Sequence, residues 1–144
     1  MPRAAIVDTG PLVALLDASD SAHGWTVRQF RQITGPLLTC EAVVAEALYL
    51  LRSLRPAQEK ILEWIEGGVL VCPFVLAEEV AQVRGLWKKY ADVPMSLADA
   101  CLVRMSEKHD HHCVCTLDRD FTVYRKRGHE PIPLIIPPAA ISVK

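Results

Sequence analysis

Five short apolar runs, each closed by polar or turn-forming residues, punctuate the chain at residues 4–7, 37–40, 69–72, 113–117 and 134–136. Their length and flanks predict buried β-strands. Between them the apolar positions recur at helical spacing. Ser21 is placed to cap a helix carrying Trp25 and Phe30, and Thr39 to cap one running from Glu41 towards Leu54. Pro56 suits the first position of a helix that stops at Gly67-Gly68. Longer patterns cover 76–90 and 96–108, and a short one follows Asp118 and ends near Gly128. Strands alternating with helices predict an α/β fold: a three-layer domain whose central, mainly parallel five-stranded sheet is flanked by helices. With no repeat, linker or low-complexity stretch, residues 1–144 are expected to form a single domain.

The 144 residues, 51% hydrophobic and 23% charged, can bury one sizeable core. A net charge of -1 offers no global positive field for phosphates or anionic membranes. No run approaches the roughly 18 apolar residues of a membrane span. Asp8 interrupts the apolar start too early for a secretory core. Cys40, Cys72, Cys101, Cys113 and Cys115 are odd in number and mostly in apolar settings, as expected of a reduced, cytoplasmic protein.

Most of the 17 acids suit a solvated surface, including Glu59, Glu63, Glu66 and the pair Glu78-Glu79 that opens a helix. Four do not. Asp8 ends the first strand, where open α/β sheets bind ligands, although aspartate also serves there as an ordinary helix cap. Glu46 is the only charge in Ala42-Val43-Val44-Ala45-Glu46-Ala47-Leu48-Tyr49-Leu50-Leu51. If buried it must meet a cation or hold a proton; the plainer reading is an exposed helix edge. Asp99 stands three residues after Ser96 in capping-box spacing, yet shares its helix face with Met95, Leu102 and Val103. Asp118 follows the fourth apolar run, with Asp120 as an auxiliary acid two residues on.

Two strand-end aspartates and two helix acids converge if the first and fourth strands are neighbours. Four adjacent carboxylates repel one another and need a compensating charge. A hard divalent cation, Mg2+ or Mn2+, supplies it, and such clusters serve phosphodiester hydrolysis.

The residues that carry this reading are Asp8-Thr9-Gly10-Pro11-Leu12, Glu46, Met95-Ser96-Leu97-Ala98-Asp99-Ala100 and Thr116-Leu117-Asp118-Arg119-Asp120-Phe121. In order and spacing the sequence resembles the PIN domain, the metal-dependent ribonuclease fold of VapC-type toxins, over nearly the whole chain. The resemblance implies adjacent first and fourth strands, with Asp8, Glu46, Asp99 and Asp118 as catalytic and metal-site acids and the Thr116 hydroxyl as a helper. It also implies an RNA substrate, a homodimer, and inhibition by a small cognate antitoxin.

Other readings compete. His109-Asp110-His111-His112-Cys113-Val114-Cys115 looks like a transition-metal tract, but its ligands are crowded for structural zinc. Arg125-Lys126-Arg127, with Arg119, offers charge to an RNA backbone or is a solvated run. Trp25, Trp64 and Trp87 fall on helices and read as core or dimer packing. No P-loop lysine motif or G-x-S-x-G elbow is present. The expected function is a metal-dependent endoribonuclease, a toxin in a toxin–antitoxin pair. The alternatives are a PIN nuclease of RNA processing and a non-catalytic RNA- or protein-binding module. Setting the four acids aside leaves 13 acids against 16 bases. The near-neutral total therefore conceals an acidic site within a mildly basic remainder.

Overall fold

A computed structural model describes residues 3–138. The expectation of one domain over 1–144, and the reading of Met1 and Pro2, extend beyond the described residues. The five apolar runs form β1 (Ala4–Val7), β2 (Leu37–Leu38), β3 (Leu70–Val71), β4 (His112–Cys115) and β7 (Leu134–Ile135), most of them shorter than their apolar patterns. They assemble into one sheet of order β3-β2-β1-β4-β7. Every pairing in it is parallel. Ala5, Ile6, Val7, Val114 and Cys115 are fully buried, as central strands covered on both faces require.

Among the described residues, six α-helices cover the sheet: α1 (Thr9–Leu16), α2 (His23–Phe30), α3 (Glu41–Leu50), α4 (Arg55–Glu66), α5 (Leu76–Lys89) and α6 (Leu97–Lys108). The larger core packs Val43, Ile61, Val83, Leu102 and Met105 of α3 to α6 with Ile6 and Val114. The smaller core joins Ala14 and Trp25 of α1 and α2 to Ala5, Cys115, Leu117 and Ile135. Helices on two sides of one parallel sheet make the three-layer fold expected.

The helix ends depart from expectation in places. Ala22, not Ser21, precedes α2 and gives no side-chain cap; the Asp20 carboxylate takes the Ala22 N–H at 2.9 Å. Thr39 does not cap α3. Cys40 holds that position, while the buried Thr39 hydroxyl donates to the Val7 carbonyl at 2.7 Å and ties β2 to the end of β1. The α3 helix stops at Leu50 rather than Leu54. Pro56 sits just inside α4, and Gly68 ends that segment at φ 78°, letting Val69 N–H reach the Trp64 carbonyl at 2.9 Å.

After Asp118 the expected helix is only a 3-10 turn, Arg119–Thr122. The chain then makes an antiparallel hairpin of β5 (Arg125–Lys126) and β6 (Glu130–Pro131), turned by Arg127 at φ 51° and Gly128 at φ 83°. This hairpin absorbs the basic run. Lys126 is buried and 3.7 Å from Asp110, and Arg127 pairs with Asp110 and, at 2.9 Å, with Glu130. The Arg125 guanidinium bonds the carbonyls of Thr122, Val123 and Tyr124. Glu79 corrects another expectation. It is buried between Arg104, at 2.7 Å, and Lys108, which together hold its carboxyl below the usual range.

Candidate functional site

The parallel pairing of β1 and β4 sets Val7 opposite Cys115, so the two strands deliver their carboxyl ends side by side. The chain beyond each end turns into the same space. Asp8 N–H donates to the Cys115 carbonyl at 3.0 Å, and the Asp8 side chain caps α1 by accepting from Thr9 N–H at 2.7 Å. Asp118 caps the 3-10 turn by accepting from Asp120 N–H at 2.9 Å. Ser96 caps α6 by accepting from Asp99 N–H at 3.0 Å, so the capping relation foreseen for this pair forms with the donor on the backbone. These turns, together with α3, border one cleft of about 290 Å³ lined by Asp8, Glu46, Asp99 and Asp118 with Thr9, Gly10, Leu50, Pro94, Ser96 and Leu117.

Each of three acids takes a hydroxyl donor. Thr116 Oγ1 donates to Asp8 Oδ2 at 2.7 Å and itself accepts from Asp118 N–H at 3.0 Å. Thr9 Oγ1 donates to Glu46 Oε1 at 2.8 Å. The Tyr124 hydroxyl donates to Asp99 Oδ2 at 2.9 Å. Among the described residues no ion pair reaches any of the four acids. Neutral donors thus hold the carboxylates without cancelling their charge.

The electrostatics follow. Burial pushes the Asp8 carboxyl up to about 7; the bonds from Thr116 and Thr9 oppose this, and the charges of Asp99 and Asp118 add to it. Asp99 is raised by burial, against the Tyr124 bond, with Asp118 adding to the rise. Asp120 is raised by burial and by Asp118, its side chain standing half-buried beside the cleft acids.

Among the described residues no three His, Cys, Asp or Glu side chains already stand in chelating array. The four acids share a cleft without forming such an array. Their chemistry nonetheless fits a hard divalent cation: every donor is oxygen, two carboxylates are buried, and among the described residues no lysine or arginine pairs with them.

The location of Glu46 differs from the buried alternative. It is exposed on α3, with Tyr49 (62%) and Leu50 (50%) exposed one turn on, so its apolar neighbours do not enclose it. The histidine tract supplies no cluster. His109 and His112 stack edge to face at 5.5 Å, and Asp110 is engaged by Lys126 and Arg127. Trp25 is core, whereas Trp87 is 48% exposed. Sequence reasoning missed Thr9 and Tyr124. Thr9 was visible beside Asp8; Tyr124 read as one more aromatic after Phe121, and only the fold brings it to Asp99.

Comparison with known proteins agrees with this architecture. The chain is 29% identical over 126 residues to Ribonuclease VapC26 of Mycobacterium tuberculosis (strain ATCC 25618 / H37Rv), covering 85% of this chain and 93% of that protein. Its fold is similar to the crystal structure of Mycobacterium tuberculosis VapC20, described as a sarcin-ricin loop cleaving toxin. That superposition has a TM-score of 0.75 at 21% identity and covers 83% of this chain and 94% of the other. The PIN domain description matches residues 5–127, which contain all of β1 but Ala4, the whole of β4 and all four cleft acids. With strand order, cleft and sequence in agreement, this chain belongs to the PIN domain family.

Proposed function

We propose that this chain is a VapC-type toxin, an endoribonuclease that hydrolyses RNA phosphodiester bonds with Mg2+ or Mn2+. The observation that carries the proposal is the convergence of Asp8, Glu46, Asp99 and Asp118 on one cleft at the carboxyl ends of β1 and β4. The similar proteins whose names record ribonuclease activity and RNA-loop cleavage support it. In this reading the four acids hold the ion, with Asp120 auxiliary. The bound ion supplies water activation and stabilises negative charge on phosphate and leaving oxygen.

The chain's own groups do the positioning. Thr116 fixes Asp8 and the Asp118 backbone through one hydroxyl, and Thr9 fixes Glu46. In the proposed reaction, cleavage leaves a 5′-phosphate and a 3′-hydroxyl. The charge balance outside the acids, 13 acids to 16 bases, permits a polyanion to approach.

A small antitoxin is the proposed inhibitor, and the cytoplasm the proposed site of action. Among the described residues no helix is long and apolar enough to cross a membrane. The proposed working form is a homodimer. Its interface is assigned to the apolar groove of about 340 Å³ that Leu76, Val80 and Trp87 of α5 form with Leu97.

The test is RNA cleavage in Mn2+ by wild type and Asp8→Asn. Loss of cleavage in the variant is expected. Equal cleavage by both would sink the metal-nuclease reading, and a wild type that binds RNA without cutting it would favour a binding module.

A further inference from the structure

The tyrosine on the loop after Asp118 has a position that core packing alone does not explain. Tyr124 is fully buried, yet its one polar atom is spent on a cleft acid: the hydroxyl donates to Asp99 Oδ2 at 2.9 Å. Its ring is fixed edge to face by Phe121 at 5.0 Å and 83° and by Tyr90 at 5.0 Å and 67°. Both contacts have the favoured geometry of aromatic pairs. Tyr90 is fixed in turn, since its own hydroxyl accepts from Arg125 N–H at 2.8 Å. The Tyr124 N–H bonds the Asp120 carbonyl at 3.2 Å, so the turn that carries Asp118 also carries the phenol that reaches Asp99.

We propose that Tyr124 is a positioning residue for the divalent cation, acting through Asp99; this rests on the metal-nuclease reading above. The phenol O–H holds Oδ2 in one place on a carboxyl that lines the cleft. As a neutral donor it orients the carboxylate without neutralising it, which a lysine at the same place would do. Three anchors then fix Asp99: its own helix, the Ser96 oxygen on its N–H, and the Tyr124 hydroxyl on its side chain. Groups that orient metal-binding side chains in this way typically contribute ten- to a hundredfold in metal affinity. Tyr124 also couples two acids across the cleft, because a shift of the Asp118 turn moves the donor on Asp99.

Tyr124→Phe isolates the hydroxyl while keeping the ring and its two aromatic contacts. The experiment is a MnCl2 titration without RNA, read as thermal stabilisation and by calorimetry, on the full chain with matched circular dichroism. The half-saturating Mn2+ concentration is expected to rise about tenfold in Tyr124→Phe. Tyr90→Phe, which removes a neighbouring hydroxyl bonded only to backbone, is expected to stay within about twofold of wild type. In an Asp99→Asn background, Tyr124→Phe is expected to add no further loss, since the pair acts as a unit. A Tyr124→Phe titration that overlays wild type overturns the proposal. So does an equal weakening in Tyr90→Phe, or a further tenfold loss on top of Asp99→Asn. Wild type that shows no response to Mn2+ overturns the metal reading itself, and this proposal with it.

Discussion

Replacing Asp8 by asparagine is expected to abolish activity and, in the absence of metal, to make the protein more stable. Asp8 is 7% exposed and its carboxyl is pushed from 3.8 up to about 7 in the folded chain. Below pH 3.8 the group is protonated in folded and unfolded chains alike and contributes no difference. As pH rises from 3.8 to about 7 the unfolded chain gives up its proton while the folded chain retains it, so the unfolded state gains and stability falls. Above about 7 the loss is complete, and a rise of this size corresponds to about 4 kcal/mol. Asparagine carries no charge and escapes this loss. Its amide oxygen can still take the Thr9 N–H, and its N–H2 can face Thr116 Oγ1, which has a second lone pair beside the one used by Asp118 N–H. An altered hydrogen bond costs about 1 kcal/mol, leaving a net gain of about 3 kcal/mol at pH 8. For a chain of this length that is a rise in Tm on the order of 10 °C.

The assay is urea unfolding followed by tryptophan fluorescence in EDTA, for both proteins, from pH 4 to pH 8. The gap between them should open as pH rises to about 7 and then stay constant. Added Mn2+ should stabilise wild type and leave Asp8→Asn unchanged, since a ligand that binds only the folded state stabilises it. A variant less stable than wild type at pH 8 in EDTA, or a gap independent of pH, would refute the reasoning.

Thr39→Val should destabilise by about 1–3 kcal/mol in chemical denaturation, because the Val7 carbonyl loses its buried hydroxyl donor. Gly10→Ala should lower cleavage rates at unchanged metal affinity. Its new Cβ would stand 3.1 Å from Leu117 Cδ1, and Leu117 lines the cleft with the acids. On the proposed homodimer, Trp87→Glu should yield a monomer by light scattering, since it puts a charge in the apolar groove beside Leu76, Val80 and Leu97. Neutralising the basic run with Arg127→Gln should change RNA cleavage by less than about twofold, because Arg127 is already engaged by Asp110 and Glu130.

The sequence was most legible where local pattern and chemistry coincide. Residues 4–7 and 113–117 read as strands because both faces of a parallel sheet are apolar, and Asp8 and Asp118 stood out as charges ending apolar runs. Asp99 was legible through its spacing from Ser96, which the α6 cap retains. Glu46 stood out for its apolar neighbours, which do not by themselves enclose a charge. Apolar side chains such as Tyr49 and Leu50 are exposed here, so their presence did not bury the charge between them. The reverse happened at Glu79, whose neighbours read as surface and whose partners Arg104 and Lys108 lie 25 and 29 residues away. Tyr124 and Thr39 share that difficulty. Their hydroxyls serve partners 25 and 32 residues distant, and nothing local in either segment announces it. The hairpin after the 3-10 turn was hidden by a helical pattern that Gly128 and the left-handed Arg127 break.

The bond from Thr116 to Asp8 closes a loop of 108 residues. A nascent chain therefore has no assembled cleft until β4 has left the ribosome and paired with β1, and contacts of such separation form late because their closure entropy comes first. If the chain cuts RNA as proposed, it is thus inert throughout most of its own synthesis beside ribosomal and messenger RNA. Any truncated product that ends before residue 112 lacks both Thr116 and Asp118 and cannot assemble the four-acid cleft.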